Sequence, residues 1–286
     1  MYTENITFLA YIRLLFLLSM GTVKRQRSSV DYVMGGRSLN FWLTALSAHA
    51  SDMSSWLFLA YPALIYTKGL EGIWTAFGLV LCMFLNWQWV APKIRAVTEK
   101  LQCVTLSSYF QERFEDHSGS LRLFSACASF LFYSIYIAAG FVGLGLLSES
   151  LFGIDYTVGI TVGAVIVTLY VFLGGYTTVA WIDLFQGMFL LAVILVMPTL
   201  LWWKLDVVDT VLTAFAKRGL SLSPLPHLSF TSLWAAFALT FGWGLGYFGQ
   251  PHIVTKFMGI ADARDLKKSQ YLGISWQMLA LGGASA

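Results

Sequence analysis

Long apolar runs separated by short polar connections dominate the chain, near residues 6–23, 41–66, 73–92, 121–149, 157–174, 179–203 and 231–255. Each approaches or exceeds the roughly 20 residues that a helix needs to cross a hydrocarbon core about 30 Å thick. An eighth run opens at residue 271 and continues to Ala286 with no polar flank. The pattern predicts an all-α polytopic membrane protein, and the open last run reads as a chain truncated within a longer architecture. The first run carries Arg13 inside it, and no small-residue cleavage site precedes a soluble domain, so it reads as a true span and not as a secretory signal. The connections 93–120 and 204–230 are long enough to hold extra short helices. In the first, TLSSYFQERFED has the amphipathic character of an interfacial helix, while Pro224-Leu225-Pro226 marks an irregular stretch in the second.

Composition agrees, since 57% of the 286 residues are hydrophobic and only 12% charged, which excludes a soluble domain. Assigning alternate connections to opposite sides gathers 13 of the 18 Lys and Arg on one side, Lys24, Arg37, Arg95 and Lys256 among them. Basic residues accumulate on the cytoplasmic side, so the chain is expected to be a multi-pass protein of the inner (plasma) membrane with its amino terminus outside. That bias accounts for the net charge of +3 and gives no reason to invoke a nucleic-acid partner. Cys82, Cys103 and Cys127 have no paired spacing and indicate neither a disulfide nor a metal site. No adjoining nucleophile and base and no His-Glu-x-x-His motif occur, so the chain is read as a non-enzyme.

Of the 15 Asp and Glu residues only Asp52 and Asp183 fall well inside predicted spans. An acid at a helix centre costs about 2.5–3.5 kcal/mol on insertion, so each must face protein, water or an ion. Around Asp52 the run Ala48-His49-Ala50-Ser51-Asp52-Met53-Ser54-Ser55 interrupts an apolar helix with small hydroxyl residues that let a helix open. A second interruption is expected at Phe241–His252, where four glycines and Pro251 fall within twelve residues. Trp243, Tyr247 and Pro251, four residues apart, would share one face if that segment stayed helical. Four spans separate the two interruptions, as a five-plus-five inverted repeat requires.

These pieces together resemble the solute:sodium symporter family, most closely its sodium/proline symporters. The resemblance rests on Gly35-Gly36-Arg37-Ser38-Leu39, Ala50-Ser51-Asp52-Met53-Ser54, Gly174-Gly175 with Ala180-Trp181-Ile182-Asp183-Leu184-Phe185-Gln186, and GWGLGYFGQPH at 242–252, and runs from about residue 31 onward. It implies a leucine-transporter-type fold with an extra N-terminal helix. Residues 1–40 would hold that helix and a cytoplasmic loop, 41–203 the first five-helix repeat, 204–230 an outer loop, and 231–286 the start of a truncated second repeat. The implied activity is sodium-coupled symport of L-proline by alternating access, within the lipid bilayer and with Na+ as coupling ion. Another small solute such as pantothenate or a sugar, or a symporter-like sensor module of a histidine kinase, is the alternative.

The resemblance also implies site residues. Backbone carbonyls of Ala50 and Met53 would ligate sodium, Asp52 would support its affinity, and Asp183 would lie on the inward sodium route. Ser54, Ser55, Trp56, Tyr136, Trp243, Tyr247 and Pro251 would contact or gate the substrate. His49 and Ser55 stand where the related symporters carry glycine, and both are expected to narrow the space beside the interruption. In those symporters hydroxyl side chains of a later helix complete the sodium site. Residues 1–286 alone are therefore expected not to transport, and sodium-dependent uptake of labelled proline by vesicles holding only this chain would refute that.

Overall fold

A computed structural model describes residues 2–22, 28–204, 207–225 and 229–285. Lys24 and Pro226, together with Arg25, Arg27 and Asp206 counted among the charged residues, lie outside the described residues. The regular structure described is helical, apart from one isolated bridge between Leu39 and Ile260. The helices are α1 (Tyr2–Thr22), α2 (Ser29–Met34), α3 (Phe41–Met53), α4 (Ala60–Lys68), α5 (Ile73–Leu85), α6 (Ala91–Lys100) and α7 (Leu106–Arg113). They continue with α8 (Ser120–Phe152), α9 (Tyr156–Lys204), α10 (Val207–Arg218), α11 (Phe230–Gly244), α12 (Pro251–Gly259) and α13 (Leu266–Ser285). The two extra short helices expected in the long connections are α7 and α10.

Three helical stretches among the described residues are long and apolar enough to cross a membrane, Ser55–Lys100, Ser120–Phe152 and Tyr156–Lys204. The first and last hold 46 and 49 residues. A straight helix of that length would span roughly 70 Å, more than twice the hydrocarbon thickness, so each must fold back within itself. Glycines supply the turns: Gly69 (φ 69°, ψ −159°) separates α4 from α5, and Gly175 (φ 59°, ψ −161°) divides α9 into two arms. Side chains rarely adopt that conformation, which is why glycine stands at both folds.

The two ends of the bundle are tied separately. At one end Arg37 donates to the carbonyls of Thr98 (2.8 Å) and Cys103 (3.1 Å), Arg95 donates to Ile260 (2.8 Å), and the Ala261 amide donates to the Leu39 carbonyl (2.8 Å). At the other, Trp74 Nε1 donates to the Pro224 carbonyl (3.0 Å), and Arg218 meets the Tyr66 hydroxyl. The segment after α10 thus packs on the turn between α4 and α5. Arg95, expected in a basic loop, lies in α6 and is only 3% exposed, because its guanidinium satisfies carbonyls of the segment that follows α12.

Close backbone contact joins α5 to α11. A Cβ on Gly78 would fall 1.9 Å from the Thr240 carbonyl oxygen, and one on Gly244 2.6 Å from the Gly78 carbonyl oxygen. Between α5 and α6 the helix widens into a π turn at Asn86–Val90. Such a register shift leaves carbonyls to be met from outside the helix. Gln270 of α13 donates to the Phe84 carbonyl at 3.1 Å, while Asn86 turns its amide to the Tyr247 carbonyl at 2.8 Å. The shift therefore also anchors the segment between α11 and α12.

Gly78→Val should force α5 and α11 apart and cost about 1–3 kcal/mol, read as a lower thermal unfolding midpoint in detergent. Gly242→Ala, which meets open space, should move stability by no more than about 0.5 kcal/mol.

Candidate functional site

The site is built where both expected interruptions occur. Asn40 starts α3 by accepting the Leu43 amide at 2.9 Å, and the helix runs through the buried positions Leu43 to His49 before stopping at Met53. Ser54 then takes φ 35° and ψ −160°, close to the glycine conformation of the two folds but carried by a residue with a side chain. Backbone held this way costs of order 1–3 kcal/mol and needs surrounding structure to maintain it. A short 3₁₀ turn, Ser55–Leu57, leads into α4. The last four carbonyls of an α-helix, here those of Ala50 to Met53, have no amide in the following turn to meet and carry the negative end of the helix dipole. Hard oxygen donors of that kind suit an alkali cation.

In the second interruption α11 gives way to a 3₁₀ turn, Leu245–Phe248, then to Gly249 and Gln250, before Pro251 opens α12. Proline suits a first helical position because it has no amide hydrogen to satisfy. Trp243, Tyr247 and Pro251 consequently do not share one continuous face. Trp243 and Tyr247 border the cavity that holds Asp52, whereas Pro251 borders the neighbouring one.

Asp52 joins the two interruptions. The Tyr247 hydroxyl donates to its Oδ2 at 2.5 Å, and Nε2 of His252 stands 3.9 Å from its Oδ1. Tyr247 is itself fixed, by Asn86 on its carbonyl and by Gln277 Nε2, which donates to its hydroxyl at 3.3 Å. The Tyr133 hydroxyl accepts the His252 amide at 2.8 Å and lies 2.5 Å from its Nδ1. Tyr136 reaches the Asp52 carbonyl at 3.5 Å.

Three cavities surround this knot. The first, about 460 Å³, is bordered by Asp52, Met53, Ser54, Ser55, Trp56, Tyr136, Trp243, Tyr247 and Gln250. Small-molecule sites span roughly 300–1,000 Å³. Trp56 stacks on Tyr61 at 5.2 Å and meets Trp243 at 5.4 Å, which gives this cavity an aromatic wall. The second, about 550 Å³, is bordered by Tyr11, Ala50, Ser51, Ser54, Ser55, Asp183 and Gln186. Ser54 and Ser55 belong to both, so the strained segment is the partition between them. The third, about 470 Å³, adjoins the first through Tyr136 and Gln250 and reaches Tyr133, Pro251 and His252. Oε1 of Gln250 and Nε2 of His252 are buried with no hydrogen-bond partner among the described residues.

The two departures from glycine differ. Ser55 does narrow the first cavity, where a Cβ on Gly143 would sit 3.0 Å from its hydroxyl. His49 does not border any of the three. It is fully buried, lies parallel to Trp87 at 6.1 Å, accepts from Trp87 Nε1 at 3.1 Å, and fills the space beside Gly273, where a Cβ would fall 2.3 Å from its ring. Asp183 is paired with Lys256, 2.8 Å away. Lys256 is thus a helix residue buried against α9 and not the loop charge that alternation of connections suggested. Sequence reasoning also passed over Gln250, His252, Asn86 and Gln277. The first two stand inside the glycine-rich motif, and amides within apolar spans are the signal for the others.

The sequence model of the Sodium:solute symporter family matches residues 32–285. A sodium/proline symporter of Staphylococcus aureus is 38% identical over 277 residues, covering 96% of this chain and 53% of that protein. The high-affinity proline transporter PutP of Bacillus subtilis (strain 168) is 36% identical over 272 residues, covering 94% of this chain and 57% of the relative. The chain thus spans about half the length of the curated relatives it matches. Among solved structures, a Na+-coupled sialic acid symporter in a substrate-bound outward-open state superposes with a TM-score of 0.82 at 21% identity, covering 98% of this chain and 60% of that one. That likeness is one of fold.

Gly273→Ala should collide with the His49 ring and destabilise by about 1–3 kcal/mol, and His49→Gly in the same chain should restore most of the loss. Thermal unfolding of the two single variants and the double variant measures this coupling.

Proposed function

We propose, given that this chain belongs to the sodium:solute symporter family, that it forms the ion- and solute-binding half of a plasma-membrane sodium/L-proline symporter working by alternating access. The observation that carries the reading is the carboxylate of Asp52 beside an opened backbone at Ser54, facing a cavity walled by Trp56, Trp243 and Tyr247. Sodium would be held by the carbonyls of Ala50 and Met53 with the charge of Asp52 nearby. Proline, a compact zwitterion with an apolar ring, would sit in the first cavity against Trp243 and Tyr247, near Ser54, Ser55 and Tyr136. Trp56 would form part of the wall of that cavity, and Pro251 would act from the neighbouring one. Sodium would leave through the second cavity, past Asp183.

Repeat symmetry belongs to the same proposal. Residues 41–203 would form the first five-helix repeat and 231–286 the opening of the second, with 1–40 preceding them and 204–230 as an outer loop. In support, the backbone is interrupted at the first helix of each proposed repeat, at Ser54 and at Gly249–Gln250. The alternation of basic connections would put the amino terminus outside.

The energetics suffice. One sodium carried with a net-neutral proline gains about 2.3 kcal/mol from a potential of 100 mV. A tenfold sodium gradient adds about 1.4 kcal/mol, so accumulation of roughly 500-fold is within reach.

In the full-length protein, Asp52→Asn should raise the sodium concentration for half-maximal uptake of labelled proline at least tenfold, which is about 1.4 kcal/mol. Uptake with unchanged sodium dependence would remove Asp52 from the ion site. Stronger competition by unlabelled pantothenate or sugar than by unlabelled proline would transfer the pocket to another solute.

A further inference from the structure

Lys256 projects from α12 onto the second arm of α9. Its ammonium lies 2.8 Å from Oδ2 of Asp183, and the two side chains are 5% and 13% exposed. The same ammonium stands 5.0 Å over the Tyr176 ring, whose hydroxyl donates to the Thr255 carbonyl at 3.2 Å. The charge is therefore held between a carboxylate and a ring face, both on α9. Asp183 also borders the second cavity, together with Ala50, Ser51, Ser54, Ser55 and Gln186. An anionic oxygen donor at the wall of a cavity shared with the end of α3 is a place where a small hard cation would settle. The chain's own cation already pairs with that carboxylate.

Charge balance gives this a consequence. The pair is neutral as it stands, and a sodium ion added to it would leave one uncompensated positive charge in a buried site, which is strongly unfavourable. Without the ammonium, the same carboxylate would carry an unpaired negative charge beside a cavity and would draw in a cation.

We propose that Lys256 is the standing counter-ion of Asp183 and so limits this protein to one resident sodium, the one near Asp52. The proposal rests on the sodium-symport reading. It makes Asp183 a residue that a departing ion passes and not a second place of residence. Lys256 is then a determinant of ion stoichiometry, encoded in a basic residue that alternation of loops would count as topology.

The test is equilibrium binding of radioactive sodium to the purified full-length protein, without any solute, which separates this proposal from the choice of solute. Lys256→Gln should bind about twice as much sodium per protein as the native chain, and Lys256→Arg should bind the native amount. The Asp183→Asn, Lys256→Gln double variant is neutral at both positions and should keep the native amount, with half-saturation within about twofold. Native stoichiometry in folded Lys256→Gln would overturn the proposal and leave the pair as a packing contact. Half-saturation raised more than tenfold in the double variant would also overturn it, by making Asp183 a ligand of the resident ion; if the single variant does not fold, this measurement decides. A native protein that binds sodium with the expected counts but does not carry proline would refute the solute assignment and leave this one standing.

Discussion

A carboxylate inside an apolar bundle has to be met by a partner on another element, and at Asp52 that partner is the hydroxyl of Tyr247. The bond joins the end of α3 to the turn after α11, so the two interrupted helices meet at their breaks. Tyr247 has little freedom to yield, being 2% exposed, with Asn86 on its carbonyl and Gln277 on its hydroxyl. Any displacement of one interrupted helix must therefore carry the other with it or leave a buried acid unmatched. An unmatched buried charge is the costlier outcome. A cation arriving at the carbonyls of Ala50 to Met53 would add a partner to this acid and change what the tyrosine alone must do.

The same few residues separate two spaces. Ser54 and Ser55 border both the Asp52 cavity and the Asp183 cavity, and Ser54 carries the strained backbone. Under the proposed function the partition is also the coupling element: the carbonyls of Ala50 and Met53, just before it, would face the ion and its own hydroxyls would face the solute. A strained residue suits that place, since an interaction that relaxes or reinforces the opened backbone shifts the balance between its states. Gly143 and Gly187 give the partition its close neighbours, with space for Ser55 on one side and for Ala50 on the other.

Much of this was legible in the chain. The long stretches Ser55–Lys100, Ser120–Phe152 and Tyr156–Lys204 follow from apolar length, and the interruption at Ser54 was announced by a short polar run inside an oily helix. The second break was announced by glycine density around Pro251. What the pattern could not supply was direction. His49 lies three residues from Asp52, and spacing alone put it beside the interruption. On the helix it points instead to Trp87 and Gly273, because the Trp87 ring in the π turn after α5 and a missing side chain on α13 leave room for a ring there. Pro251 failed to share a face with Trp243 for a related reason: the helix on which that argument relied ends before it.

Charges were misread for a different cause. Counting Lys and Arg by connection treats every basic residue as a mark of the side on which it lies, and that argument is about insertion, not about contacts. Arg95 and Lys256 satisfy the count and yet are 3% and 4% exposed, one bound to the Ile260 carbonyl and one to Asp183. Both sit in short helices, α6 and α12, and a long side chain can carry its charged tip well away from its own backbone. Such a basic residue thus reports orientation through its backbone and can still do chemistry through its tip. Only a buried acid within reach separates the two uses, and here α9 places Asp183 where the Lys256 ammonium meets it.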